Sequence, residues 1–276
     1  MLAQRTSGFW VGSRAHADCV AGREHCYPLV LLRAMIVLFT DFGLDDPYVG
    51  QMKAVLLRTG RRDMPIVDLL HRVPDFSARA GAHLLAALHA SFDPGSVFLA
   101  VVDPGVGSDR PAVVLEADGK YYVGPDNGLL SVVAARAGEQ RSWRIVWRPG
   151  RLSSSFHGRD LFAPVAARIA AGDWPAAWLA TSCLQHSLPA DDLAEVIYVD
   201  HYGNAMTGIR AANIPPQARL RLNAHEVPRA RVFAEAAAGE AFWYENSIGL
   251  VEIAVNRGSA ASHLLLAPGS PVTTVP

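Results

Sequence analysis

The run SVFLAVVD, residues 96–103, is apolar at every position from Val97 to Val102, so a strand built from it has no face suited to water. Such a strand belongs in the middle of a parallel sheet with helices covering both sides. IVLFTD (36–41) and IVDLLH (66–71) read as companion strands. Helical patterns alternate with them: VGQMKAVLLRTG, closed by Gly60, and ARAGAHLLAALHASF. AVVLEA, YYVG and RIVW (144–147) add shorter strands before FAPVAARIAAG returns to helix.

Beyond TSCLQHSLPADD the texture changes to short strands and turns: EVIYVDHYGN, ARLRLN, VPRARVF, GLVEIAVN and SHLLLAP. The expected organisation is an α/β domain with a mainly parallel central sheet over residues 35–190 and a smaller all-β domain over 191–276. Half of the 276 residues are apolar, enough for either one large core or two modest ones. Residues 1–34 carry neither a signal-peptide order nor apolar periodicity, and read as an extension or a misplaced start.

Several function classes drop out at this point. A net charge of -1 provides no broad electrostatic footprint for nucleic acid, and the arginines at 144, 148, 151 and 159 read as scattered surface charge. PLVLLRAMIVLF is interrupted by Arg33 and falls short of the roughly 20 residues of a membrane span. The three cysteines, Cys19, Cys26 and Cys183, cannot all pair, so a reducing, cytoplasmic setting is expected. HADCVAGREHC matches no standard zinc spacing, and no metal site is expected. Asp41-Phe42-Gly43 is not a kinase magnesium motif, because no Gly-rich loop, strand lysine or H-R-D loop precedes it.

Asp41, Asp68 and Asp103 each fall at the carboxyl end of an expected strand, where ligands collect in open α/β sheets. Each taken singly is also explained as a cap on the turn that follows, worth about 1 kcal/mol. In VVDPGVGSDR, Pro104 and two glycines allow a tight turn, with Arg110 seven residues past Asp103. GPDNGLL looks like a turn entering a helix, with Asn127 placed either to cap it or to bond a ligand. In SSSFHGRDLFAP, His157 either braces its loop or joins Asp103 and Arg110 in polarising a water that the imidazole helps deprotonate. VDHYGN and ENSIGLVEIAVNRGSA concentrate small and amide-bearing residues beyond what turn chemistry asks.

On these residues the chain resembles the S-adenosyl-L-methionine (SAM) hydroxide adenosyltransferases, the adenosine-forming SAM hydrolases related to the fluorinase and chlorinase. TDFG with DPYVGQMK, VVDPGVGSDR, VGPDNGLL, FHGRDLFAP, the D-x-Y-G-N stretch and NSIGLVEIAVN occur in one order between Met35 and about Leu266. The resemblance implies a barrel-like C-terminal domain and a homotrimer with sites between adjacent subunits. It implies conversion of SAM and water to adenosine and L-methionine, with SAM as substrate and no cofactor. Carried over by position, Asp41 accepts both ribose hydroxyls, and Asp103, Arg110 and His157 activate the water. Phe76 and Phe233 surround the nucleoside, Asn204 reads the adenine edge, and Asp200 with Ser247 hold the amino-acid end. Asp46, Asn127, Glu252 and the backbone of Val255 complete the substrate-binding set.

The chain departs from the pattern at DLLH, where DISH is common, and at Thr207-Gly208, where Thr-Asn is usual. These positions bear on fine contacts rather than on the reaction. Two other readings stay in view: a non-catalytic module that binds adenosine or SAM, and a SAM-dependent halogenase. The intact Asp103, Arg110 and His157 oppose the first. Against the second, related fluorinases place a serine at the position of Gly158, a tyrosine at that of Asp103 and a long insertion near residue 119, none of which is present here.

Overall fold

Alternate residues of the two most apolar strands go to opposite sides of a single sheet. In β1 (Ile36–Thr40) and β3 (Val97–Val101), Ile36, Leu38, Val97, Leu99 and Val101 join one buried cluster. Val37, Phe39, Phe98 and Ala100 join the cluster on the other face. This period of two follows from the pleat, and it requires helices on both faces. α1 (Pro47–Thr59) and α4 (Ala163–Ala170) cover the first face through Met52, Leu56, Val165 and Ile169. α2 (Ala78–Leu88) and α3 (Ser131–Arg136) cover the second through Leu84, Leu85 and Val133.

A computed structural model describes residues 34–275. The expected N-terminal extension, with Cys19, Cys26 and HADCVAGREHC, lies outside the described residues apart from Ala34. With β2 (Ile66–Leu70), β4 (Ala112–Ala117), β5 (Lys120–Pro125), β6 (Gln140–Ile145) and β7 (Leu179–Thr181), the N-terminal sheet has seven strands in the order β2-β1-β3-β5-β4-β6-β7. β2, β1, β3 and β5 run parallel, whereas β4, β6 and β7 join through antiparallel pairings. The sheet is therefore mixed, with the expected parallel part at the β2 end.

The chain passes from β1 to β2 on one side and then returns to place β3 on the other side of β1. The order reverses there, and the crevice outside the strand ends at such a switch point is where an open α/β sheet binds ligands. β1 and β3 pair without a shift, Thr40 opposite Val101, so Asp41 and Asp103 emerge at nearly the same level.

The last third of the chain forms two antiparallel sheets. β8 (Leu193–Val199), β9 (Ala205–Arg210), β12 (Ala241–Glu245) and β13 (Leu250–Val255) make one, in the order β12-β13-β9-β8. β10 (Arg219–Leu222), β11 (His225–Val227) and β14 (Thr273–Val275) make the other. Trp243, Leu220, Val251 and Ile253 fill a shared core between them. Isolated bridges, Glu195 to Pro271 and Arg229 to Trp243, touch the two sheets together at their edges. Among the described residues no continuous ladder closes them into a barrel. Leu193, Ile197 and Leu250 also enter the cluster beneath α2, so apolar packing continues across residue 190.

Local differences from the sequence reading have identifiable causes. The strand expected over 144–147 lies instead at Gln140–Ile145, where polar residues alternate along a strand near the sheet's edge. β9 and β12 emerge from AMTGIR and AFWYE, which lack a clear alternation. The SHLLLAP segment is not a strand, because Ser259 accepts the Ser262 N–H at 3.1 Å and caps the short helix α5 (Ala260–His263). VPRARVF is strand only at its first residue, Val227. No helix among the described residues is long and apolar enough to cross a membrane.

Candidate active site

β1 delivers Asp41 into a turn that Gly43 completes with a φ of 75°. The turn is tied to the segment after β2: Gly43 N–H donates to the His71 carbonyl at 2.7 Å, and Val73 N–H to the Thr40 carbonyl at 3.2 Å. Asp41 Oδ2 accepts the backbone N–H of Phe76 at 3.1 Å. Phe76 has a φ of 61°, uncommon for a bulky side chain, and its ring is largely exposed. Burial pushes the Asp41 carboxyl above its ordinary value, the Phe76 N–H pulls it back, and the negative charges of Asp75 and Asp103 raise it further.

β3 delivers Asp103 to the same edge. The turn through Pro104, Gly105 and Gly107 brings Arg110 back onto it as a two-pronged ion pair, Nε to Oδ1 at 2.7 Å and Nη2 to Oδ2. The side chains are only 8% and 4% exposed, so the pair is held out of water. Arg110 also stacks on the Phe162 ring at 5.2 Å and donates to the Pro111 carbonyl at 3.2 Å.

From the loop before α4, His157 Nδ1 lies 3.3 Å from Arg110 Nη2. A guanidinium only donates, so Nδ1 accepts and the neutral ring carries its proton on Nε2. Burial, then the adjacent Arg110 charge, hold the imidazole below its ordinary pKa. Residues Gly158–Phe162 form a π-helical turn, a device found often at functional sites. Gly158 is walled in: a Cβ there would lie 3.2 Å from Met52 Sδ and 3.3 Å from the Phe156 ring. Phe42, Tyr48 and Phe156 pack as an aromatic trio with centroids 5.4 to 5.8 Å apart.

Asp41, Asp46, Phe76 and Asp103 line one cleft of about 920 Å³. Asp46 sits at the start of α1 without capping it, so its carboxylate is not committed to the helix. Asn127 is engaged with the protein at both ends of its amide, Nδ2 donating to the Val102 carbonyl at 2.8 Å and Oδ1 accepting Leu129 N–H at 3.2 Å. It therefore braces the end of β3 and caps the turn into α3.

The other expected residues gather elsewhere. Asp200, Asn204, Phe233, Ser247, Glu252 and Val255 all line a second cleft, of about 930 Å³. Asp200 Oδ1 accepts the N–H groups of Tyr202 and Asn204 at 2.9 and 2.8 Å, and its Oδ2 accepts Asn204 Nδ2 at 3.1 Å. Buried Glu252 accepts from the Tyr244 hydroxyl and from Asn246 Nδ2, the latter at 2.8 Å. Asn246 Oδ1 in turn takes the N–H groups of Ile248 and Leu250, shaping the turn that carries Ser247. Burial, then the bond to Glu252, push the Tyr244 phenol up, so it stays a donor. Phe233 packs edge-on against Phe242 and Tyr244. Among the described residues of one chain, the two clefts share no lining residue.

Tyr244 and the aromatic trio were not among the residues expected from sequence. Tyr244 stands directly opposite Glu252 in the β12–β13 ladder, so recognising β12 as a strand is the signal that would have found it.

Family models for the N-terminal and C-terminal domains of SAM hydroxide adenosyltransferases match residues 36–178 and 194–273. The chain belongs to this family. A relative from Thermus thermophilus, named (R)-S-adenosyl-L-methionine hydrolase, is 38% identical over 263 residues, covering 86% of this chain and 98% of its own. A protein of the same name from Salinispora tropica is 39% identical over 245 residues, covering 83% and 93%. Among solved structures, an uncharacterized conserved protein from Thermotoga maritima matches with a TM-score of 0.80 at 33% identity, covering 87% of this chain and 100% of that one. A conserved hypothetical protein from Thermus thermophilus matches at 0.72 and 36%, covering 88% and 100%.

Gly107 sets the distance between the loops that carry Arg110 and His157. It has a φ of 84°, and a Cβ there would meet the Ser154 carbonyl at 2.5 Å. Gly107→Ala is expected to cost about 1–3 kcal/mol of stability by overpacking. It is also expected to raise the His157 pKa toward its ordinary value as Arg110 recedes. Histidine titration by NMR checks this, and an unmoved His157 resonance would count against the assignment.

Proposed function

We propose that this chain hydrolyses SAM to adenosine and L-methionine, with water or hydroxide attacking C5′ in line with the departing sulfur. The observation that carries the reading is the hydrogen-bonded unit Asp103–Arg110–His157, held beside Asp41 at the switch point of the sheet in a member of this family. The two relatives named as SAM hydrolases, which match over most of the chain, support the same reading. A sulfonium leaves as a neutral thioether and asks for no general acid, and the reaction needs no cofactor. Catalysis then consists chiefly of aligning the nucleophile with the C5′–S bond, where preorganised geometry supplies the larger share of the acceleration.

In this reading Asp41 accepts both ribose hydroxyls. Asp103 fixes Arg110, and Arg110 fixes the ring of His157. With Nδ1 occupied, Nε2–H donates to the oxygen of the attacking water and aligns it on C5′; as the C5′–O bond forms and the C5′–S bond breaks, the surplus proton of the water passes to solvent. Removing the proton through Nε2 itself calls for the other tautomer. The crowding of Gly158 by Met52 and Phe156 leaves no room for the serine of a halogenase without displacement, and this favours hydrolysis. The exposed thiol of Cys183 suits a reducing cytoplasm.

The complete site is assembled between copies of the chain in a homotrimer, so that the first cleft of one copy meets the second cleft of the next. The support is the division of the candidate residues between two clefts, together with the exposed aromatics Phe76 and Tyr202 along them. Sedimentation is expected to give three copies. Co-assembly of an Asp41→Ala chain with an Asn204→Ala chain is expected to restore turnover that neither shows alone. A fully active monomer would overturn the shared site.

Asp41→Ala is expected to weaken adenosine binding by about 3 kcal/mol or more, since two charge-assisted bonds to the diol are lost. The wild-type affinity should fall with acidification earlier than for an ordinary aspartate, because the raised pKa of Asp41 protonates the acceptor at higher pH. Calorimetry across pH measures both effects, and unchanged affinity in the mutant would remove Asp41 from the site.

Single substitutions of Asp103, Arg110 or His157 are each expected to reduce turnover severely, with a second adding little, because groups acting as a unit are strongly non-additive. Adenosine affinity should survive in His157→Ala. Chromatography of adenosine and methionine formed from SAM, beside melting temperatures, separates this from a loop-bracing role for His157. Absence of turnover in the wild type would leave the binding-module reading.

A further inference from the structure

Asp68, expected at a strand end, lies instead in the middle of β2 and is partly exposed; it has no part in the reaction described above, yet it heads a chain of hydrogen bonds that runs inward to the buried His71 and Thr40. Its Oδ2 accepts from Lys53 Nζ at 2.5 Å and its Oδ1 from His71 Nε2 at 3.0 Å. Burial alone would raise the Asp68 carboxyl, and the bonds from His71 and Lys53 hold it below its ordinary value. The His71 side chain is 1% exposed, and its Nδ1 lies 2.8 Å from Thr40 Oγ1. Thr40 Oγ1 also accepts the Phe42 N–H at 3.3 Å. With a neutral ring the directions are consistent throughout: Nε2–H to Asp68, the Thr40 hydroxyl to Nδ1, and Phe42 N–H to the Thr40 oxygen.

The order carboxylate, imidazole, hydroxyl is that of a nucleophile triad. Thr40 is completely buried and its oxygen is already bonded, so it attacks nothing. Its neighbours in sequence show another use. Asp41 stands between Thr40 and Phe42, both of which are tied into this chain, and Gly43 is tied to the His71 carbonyl. Three of the four residues 40–43 are thus fastened to His71 or to Thr40, and the fourth is Asp41.

We propose that Asp68, His71 and Thr40 form a positioning relay that fixes the Asp41 carboxylate for a vicinal ribose diol. The inference rests on the reading of Asp41 as the diol acceptor. None of the three touches the reacting atoms. They act by holding the backbone on either side of Asp41, so that the carboxylate meets the diol without first being ordered by it.

The test compares Thr40→Val, which keeps the shape and removes the hydroxyl, with Thr40→Ser, which keeps the hydroxyl. Asp68→Ala, at a partly exposed strand position, serves as a second break in the chain should Thr40→Val fold poorly. Adenosine affinity, and KM and kcat for SAM, are measured well below each melting temperature. Thr40→Val is expected to raise the adenosine Kd and the SAM KM between about ten- and a hundredfold, the scale of loss from misplacing a binding group by up to an ångström. kcat at saturation should change much less, Thr40→Ser should restore affinity, and Asp68→Ala should move Kd in the same direction. A lowered melting temperature with unchanged Kd and KM in both Thr40→Val and Asp68→Ala would overturn the relay, leaving a structural role only. A wild-type protein that does not bind adenosine would overturn the diol reading and the relay together, and is distinguishable from that result.

Discussion

Parallel pairing of β1 with β3 governs where the two strand-end carboxylates of the first cleft, Asp41 and Asp103, stand. Both strands are apolar on both faces, so neither tolerates an edge position, and their unshifted register brings two aspartates out of the sheet side by side. Like charges brought together at such an edge repel, and the charge of Asp103 adds to the cost of ionising Asp41. The surrounding structure answers that cost differently at each carboxylate. Asp103 is matched by Arg110, Asp68 by Lys53 and His71, and Asp41 only by backbone N–H groups. The group left without a cation is the one free to take a neutral, donating ligand such as a diol.

The same economy of position explains why long-range contacts, rather than local ones, build the Asp103–Arg110–His157 unit. Arg110 reaches His157 across 47 residues, and the approach depends on a glycine with no Cβ between two loop backbones. Phe162 supports the guanidinium from beneath, which fixes its plane as well as its place. A fixed cation beside an imidazole keeps the ring neutral, and a neutral ring with one nitrogen occupied has a defined donor at the other.

What the sequence made legible follows burial. The doubly apolar strands, AVVLEA and the helices over residues 49–60 and 78–92 were readable because period and composition agree there. β6, a polar strand near an edge, β9, with a glycine in its middle, and β12, whose AFWYE runs three aromatics together without alternation, lack that agreement. The family was legible through its motifs, and the family models match residues 36–178 and 194–273, whereas the roles of individual site residues rest on the proposal. Their partition into two clefts was not, since nothing in a linear order says which loops share a crevice. Tyr244 escaped for the same reason as its strand: only the ladder places it on Glu252.

The bond from Phe76 N–H to Asp41 gives a single proton two opposed effects. Because the folded pKa of Asp41 is raised chiefly by burial, protonating it relieves a desolvated charge, and the contribution of this one group to stability rises as pH falls through that value. The neutral carboxyl is at the same time a weaker acceptor for the N–H that holds Phe76 in its left-handed conformation. Mild acid therefore relieves the buried charge at Asp41 while weakening the bond that shapes the rim of its cleft. Local order and the stability contributed by this one carboxyl run in opposite directions, and Asp68 and Asp160, held below their ordinary values by their partners, lose stability on the same acidification.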